Sequence, residues 1–262
     1  MLTMKKAILG VGKPALIALT VGAAIITASG QTDEIQVYDA EITAPGKFNL
    51  MLHNNFTPDG LKTPAFHGAI IADKSLNGVP EWAYGVTDWF EEGLYLPLYS
   101  ISKNKGATLN GLKIRELFVV PHAEDRTFFY GVNFESSYNA KHWDQSRFTG
   151  EIRPIVGVHL HPVDIIVNPI LDTSYNGFKN LDFAPATRVA CSLSSKWALA
   201  AEEYADFGPL AHFHSTNKQS HQLWTVVDHA TKFLNIEAGI GFGLTDASDK
   251  VILKLMLSRD LN

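Results

Sequence analysis

The stretch Leu234-Asn235-Ile236-Glu237-Ala238-Gly239-Ile240-Gly241-Phe242-Gly243 alternates without a break. Leu234, Ile236, Ile240 and Phe242 point one way, and Asn235, Glu237 and glycines 239, 241 and 243 point the other. A period of two is that of a strand with two unlike faces, and helical spacing does not fit it. The next segment repeats the pattern, with Val251, Leu253, Leu255 and Leu257 against Lys254 and Ser258. Reading back towards the N-terminus, Phe48, Leu50 and Leu52 oppose Lys47, Asn49, His53 and Asn55. Phe128, Tyr130, Val132 and Phe134 oppose Asn133 and Glu135. Ile152, Val156, Val158 and Leu160 oppose Glu151, Arg153 and His159. Val163, Ile165 and Val167 face away from Asp164 and Asn168, and Leu181, Phe183 and Val189 from Asp182 and Arg188.

The first 30 of the 262 residues read differently. Lys5, Lys6 and Lys13 precede an apolar run from Ala15 to Ile26, and Ala28-Ser29-Gly30 offers small residues for cleavage, the build of a secretory signal peptide. Its removal takes the formal charge from −5 to −8, because it holds three lysines and no acid. With 22 Lys plus Arg against 27 Asp plus Glu, no basic surplus exists for nucleic acid. Cys191 is the only cysteine, so no intramolecular disulfide forms, and no Cys stands at the cleavage site to carry a lipid. Past residue 30 no apolar run approaches the ~20 residues of a membrane helix.

With the weaker segments 80–88, 90–100, 111–121, 196–206 and 219–228, about twelve strands of roughly ten residues are expected, the length of a tilted membrane-spanning strand. Short turns near Trp89, 122–125, His161, Ser194-Ser195 and 229–231 alternate with longer loops at 57–79, 101–109, 139–147, 172–180, 207–218 and 244–249. Hydrocarbon cannot satisfy backbone N–H and C=O groups, so a sheet in a bilayer closes on itself and turns its apolar side chains outward. The expected fold is therefore all-β: an antiparallel transmembrane β-barrel over 46–262, with short periplasmic turns and longer extracellular loops. The signal peptide would occupy 1–30, and 31–45 would form a periplasmic N-terminal segment, either a short extra strand, a tail or a partial plug. Trp82, Tyr84, Trp89, Tyr130, Tyr138, Trp143, Trp197 and Trp224 lie near strand ends and suit interfacial girdles. Glu116, in phase with Leu112, Ile114 and Phe118, and the doublet Glu202-Glu203 conflict with an apolar outer face. Pro97, Pro154, Pro169 and Pro185 conflict with an unbroken ladder.

The stretch Tyr84-Gly85-Val86-Thr87-Asp88-Trp89-Phe90-Glu91-Glu92-Gly93-Leu94-Tyr95-Leu96-Pro97 resembles a hairpin of the outer-membrane barrels named after the MetA pathway of phenol degradation. The resemblance covers about 20 residues. It implies a barrel for small-molecule passage and brings no catalytic residue. The chain ends Leu257-Ser258-Arg259-Asp260-Leu261-Asn262, without the terminal aromatic that such barrels commonly present to their assembly machinery.

On the barrel reading, the lumen is lined by Lys47, Asn49, His53, Lys113, Arg115, Asn133, Glu135, Glu151, Arg153, His159, Asp164, Asn168, Asp182, Arg188, Asn235, Glu237 and Lys254. With Glu81 and Asp172 added, seven inward acids meet six bases, a near-balance that suggests cross-strand ion pairs rather than a selectivity ring. Arg115, Glu135, Glu151 and Arg153 could form one such cluster. His159-x-His161 and His212-x-His214 could each contribute two ligands to a metal, but spacing supplies no third, so neither a metal nor a cofactor is expected. His214 and Ser215 are adjacent, which turns their side chains apart and speaks against a Ser-His hydrolase. The expectation is a non-enzymatic outer-membrane barrel giving restricted passage to small molecules, hydrophobic ones among them. Its partners would be outer-membrane lipid, the barrel assembly machinery and a small-molecule solute. The alternatives are a membrane-embedded lipid hydrolase and a soluble periplasmic ligand-binding barrel.

Overall fold

The computed structural model describes residues 34–262, so the signal-peptide reading of 1–30 lies outside the described residues. Twelve strands form one closed antiparallel barrel. They are β1 (Phe48–Asp59), β2 (Ser75–Gly85), β3 (Phe90–Ser102), β4 (Gly106–Val119), β5 (Phe128–Asn139) and β6 (Phe148–His159). Then follow β7 (Val163–Asn168, resumed at Leu171–Thr173), β8 (Asp182–Phe183, resumed at Ala186–Ser194), β9 (Trp197–Asp206), β10 (Ser220–Ala230), β11 (Asn235–Gly243) and β12 (Val251–Asp260). Neighbours in sequence are neighbours in space, and β1 closes the ring on β12 from Asn49 opposite Asp260 to Phe56 opposite Leu253. Closure leaves no edge strand with unpaired backbone groups.

The outer face is the apolar one. Leu199 and Ile240 are 45% and 37% exposed, while their neighbours Ala200 and Val226, turned inward, are 3% and 0% exposed. Leu52, Phe56, Leu94, Ile114, Phe134, Val156, Val167, Leu223 and Leu253 continue an outward band around the barrel. An uninterrupted apolar belt far exceeds the patches of a few hundred Å² found on water-soluble monomers. Trp82, Tyr84, Trp89, Tyr130, Tyr138 and Trp197 are outward, but two expected girdle residues are not. Trp224 falls in phase with Val226 and packs inside the barrel, and Trp143 is buried in an outer loop.

Two connections depart from strict alternation of short and long. The expected loop 101–109 is a tight turn, Lys103 to Lys105, closed by Gly106 at φ 69°. Its flanking residues remain paired, from Ser102 opposite Gly106 to Tyr99 opposite Leu109. At the opposite end, 120–127 is longer than expected and carries the short 3-10 turn Ala123–Asp125. The long loop after β1 is shorter than 57–79, because β1 runs on to Asp59 and β2 begins at Ser75.

The misfits resolve by position. Glu116 lies opposite Glu92 on the outer face, one step along from the stacked Phe90 and Phe118, whose ring centroids are 4.7 Å apart. That places both carboxylates beside an aromatic girdle rather than in mid-hydrocarbon. Glu203 is outward near the loop-rich end, 3.4 Å from Nδ1 of His221, and Glu202 is fully inside. Pro97 falls where the β3–β4 register shifts, between Tyr95 and Leu98, and the other three prolines are aligned: register sets Pro154 opposite Pro169 and Pro169 opposite Pro185, a row across β6, β7 and β8. Each lacks a backbone N–H, which explains why β7 and β8 are each interrupted there.

Candidate functional site

The interior is organised around residues 34–45. Expected on the periplasmic side as a short extra strand, a tail or a partial plug, this segment runs through the lumen, extended but for a bend at Ala40 (φ 66°) and unpaired with any strand. Lumen side chains satisfy its backbone. Asn168 accepts from the N–H of Tyr38 (2.7 Å) and donates to its carbonyl (3.0 Å). Arg153 donates to the Gln36 carbonyl (3.1 Å) and Lys254 to that of Ile35 (3.3 Å). The Thr43 N–H donates to Glu91 (2.5 Å), and Gly46 and Gly85 tie the segment to the end of β2. A buried extended peptide must find such partners, because water cannot supply them. Gly85 matters for this approach: a Cβ there would meet the Thr43 carbonyl oxygen at 2.1 Å.

Its side chains fill what remains. Val37, Tyr38 and Ala40 pack against Leu117, Val119, Phe129, Ile155, Ile166 and Ala186, an apolar cluster on one side of the lumen. Ile35 packs against Ala190, Ala200, Trp224, Val226 and Ile252. The Tyr38 hydroxyl is 2.6 Å from that of Tyr95 and 3.4 Å from Glu135. The Arg153 guanidinium lies over the Tyr38 ring at 4.4 Å.

Two ion-pair clusters flank the segment. On one side Arg115 bridges Glu81 and Glu91, both at 2.5 Å, and His53 Nε2 meets Glu81 at 3.0 Å. Arg153 holds Glu151 with two bonds of 2.6 and 3.0 Å, and Lys113 holds Glu135 at 3.1 Å. Glu34 joins this cluster, 3.6 Å from Arg153 and 3.7 Å from Lys113. On the other side Arg188 pairs with Glu202, Asp228 and Glu237, and Lys254 pairs with Glu202 (2.6 Å) and Glu237 (2.5 Å). Tyr204 donates to Glu202 at 2.8 Å. Removing one member of such a buried network strands its partner's charge, at a cost of about 3–5 kcal/mol.

Of the expected lumen residues, His53, Lys113, Arg115, Asn133, Glu135, Glu151, Arg153, Asn168, Arg188, Glu237 and Lys254 meet in these clusters or against the segment, and Asp182 faces the hollow above them. His159 stacks on Phe129 at 4.5 Å and bonds Asp164 at 2.7 Å. Lys47, Asn49 and Asn235 do not line the lumen. They sit at strand ends on the rim, where the alternation runs out; Asn49 bonds Asp260, and Lys47 and Asn235 are exposed. Glu91, Glu202 and Asp228 were missed. Glu202 carried the signal, since a carboxylate in phase with Ala200 marks that face as inward. Ser215 donates to Asn217 (2.7 Å) rather than to a histidine, and the nearby His214 ring packs close to Gly208.

Above the segment, towards the loop-rich end, lies a cavity of about 590 Å³ floored by Glu34, Ile35 and Gln36. Its wall includes the loop carboxylates Asp144 and Asp249. Burial raises the pKa of Asp249, partly offset by the Leu61 N–H that donates to it at 2.7 Å.

A closed twelve-stranded barrel with an apolar belt and a polar, charged interior is an outer-membrane β-barrel in fold. Among solved structures the chain is similar to the COG4313 outer membrane channel from Pseudomonas putida F1. The TM-score is 0.59 and the identity 13%, over 87% of this chain and all of that one. It is also similar to the KdgM porin in complex with disordered oligogalacturonate, with a TM-score of 0.53 and 5% identity, over 82% of this chain and 99% of that one. No protein-family model and no curated protein matches the chain, so the likeness of its Tyr84–Pro97 hairpin to the MetA-pathway barrels rests on those residues alone.

Proposed function

We propose that this protein is an outer-membrane channel for small molecules, held closed by residues 34–45. The observation that carries the reading is the fit of that segment. Asn168, Arg153, Lys254 and Glu91, from four different strands, bond to backbone atoms of one extended peptide crossing the lumen. Groups spent in this way hold a stopper better than they brace a wall, because the strands already satisfy their own ladders. Withdrawal of the segment would open a path lined by the two ion-pair clusters and by the apolar patch of Leu117, Val119, Phe129, Ile155 and Ile166, suited to small amphipathic solutes. The loop-rich end would face the cell exterior, as is usual for such barrels, after export and insertion by the barrel assembly machinery. The likeness to an outer membrane channel and a porin supports the same class. The test is solute entry into liposomes containing the purified barrel: small solutes should enter faster than into empty liposomes, and faster still when residues 31–45 are deleted. Equal entry in all three would overturn the proposal.

A further inference from the structure

The lumen is not charge-balanced. Eight carboxylates and two cations, Lys113 and Arg153, line the outer cavity. Four of the acids form a row: Glu135 is opposite Glu151, Glu151 opposite Asp172, and Asp172 opposite Asp182, on adjacent strands at one level. Lys113 and Arg153 are already committed to Glu135 and Glu151 at 3.1 and 2.6 Å. Among the described residues Asp172 and Asp182 make no ion pair and no side-chain hydrogen bond. The floor adds a second, independent feature. Glu34 is 6% exposed and borders the same cavity; its ion pairs to Arg153 and Lys113 are long, 3.6 and 3.7 Å, and among the described residues neither of its carboxylate oxygens accepts a hydrogen bond. A buried carboxylate without a hydrogen bond is costly unless a donor joins it.

We propose that this cavity is a cation site: it takes a positively charged solute, with an ammonium group set between the Asp172–Asp182 end of the row and Glu34. One sign of charge concentrated at one level of a pore is the arrangement that admits cations and repels anions. The field of the surplus carboxylates gathers them from solution. A protonated amine supplies up to three N–H donors to these oxygens, which a bare metal ion does not. The inference adds the solute class to the passage reading and rests on it for the idea that the occupant moves on.

The experiment separates binding from flux. The purified full-length barrel in detergent is dialysed to equilibrium against labelled putrescine, calcium or sulfate at low ionic strength, where charge attraction is least screened. The wild type should retain putrescine, and D172N/D182N should retain roughly tenfold less or weaker still, while migrating on unboiled gels as a folded barrel. E34Q, which keeps the shape of the floor, should weaken retention as well. Retention of calcium but not putrescine, sensitive to the same substitutions, keeps a cation site but makes a metal ion its occupant. No cation held above sulfate, or equal retention by folded D172N/D182N, overturns the proposal. Binding without solute entry into liposomes defeats the passage reading alone, and entry without binding defeats this inference alone.

Discussion

Ile240→Arg tests which side of the sheet meets lipid. Ile240 is outward, 37% exposed, near the middle of β11, between Thr225 on β10 and Leu253 on β12. No acid stands opposite it in either register. An arginine there would sit in hydrocarbon, at a cost of about 2–4 kcal/mol near the midplane. On a solvent-facing sheet the same change would fall within about 0.5 kcal/mol of zero. With a denaturant slope of about 2 kcal/mol per molar, the expected loss lowers the urea midpoint in lipid vesicles by roughly 1–2 M. Ile240→Phe, which keeps the surface apolar, should leave the midpoint almost unchanged. The inward neighbour supplies the contrast: a Cβ at Gly241 would lie 2.2 Å from the Trp224 ring, so Gly241→Val should destabilise although it adds only apolar atoms. A midpoint for Ile240→Arg equal to wild type would refute the assignment of faces and with it the membrane reading.

Other consequences follow from the interior. Lys254→Met removes one of the two cations that Glu202 and Glu237 share, leaving Arg188 alone to face Glu202, Asp228 and Glu237, and should cost about 3–5 kcal/mol in the same unfolding assay. Tyr38→Phe removes the hydroxyl that meets Tyr95 and Glu135. It should cost about 1 kcal/mol and speed amide exchange in residues 34–45 relative to the strands, as read by mass spectrometry. Ser215→Ala should leave phospholipid and ester cleavage unchanged at background, since the Ser215 hydroxyl is turned to Asn217; activity lost on this change would favour the hydrolase reading.

The outward face was legible in the sequence because every strand that touches lipid must repeat an apolar residue at every second position, and no tertiary detail alters that demand. The inward face was legible only in part. The expected loop 101–109 is mostly paired strand: Thr108 donates to the fully buried Asn110, which donates to Ser100 on the neighbouring strand, contacts that alternation within one strand does not show. The role of residues 34–45 could not be read locally, because their partners are remote in sequence: Asn168 is 130 residues from Tyr38, and Lys254 is 219 from Ile35. The apparent charge balance failed for the same reason. Glu34 enters from outside the barrel strands, and Glu91, Glu202, Asp206 and Asp228 sit in segments whose alternation is weak.

The most direct measurement is the ionic conductance of the purified barrel in a planar bilayer, with and without residues 31–45. Heat-modifiable migration of both proteins establishes that each is folded. The full-length barrel should pass little current, and the shortened one should show a larger, steady conductance, because nothing else among the described residues crosses the lumen between the two ion-pair clusters. Equal conductance in two folded proteins would contradict the account of residues 34–45 as the element that closes the channel.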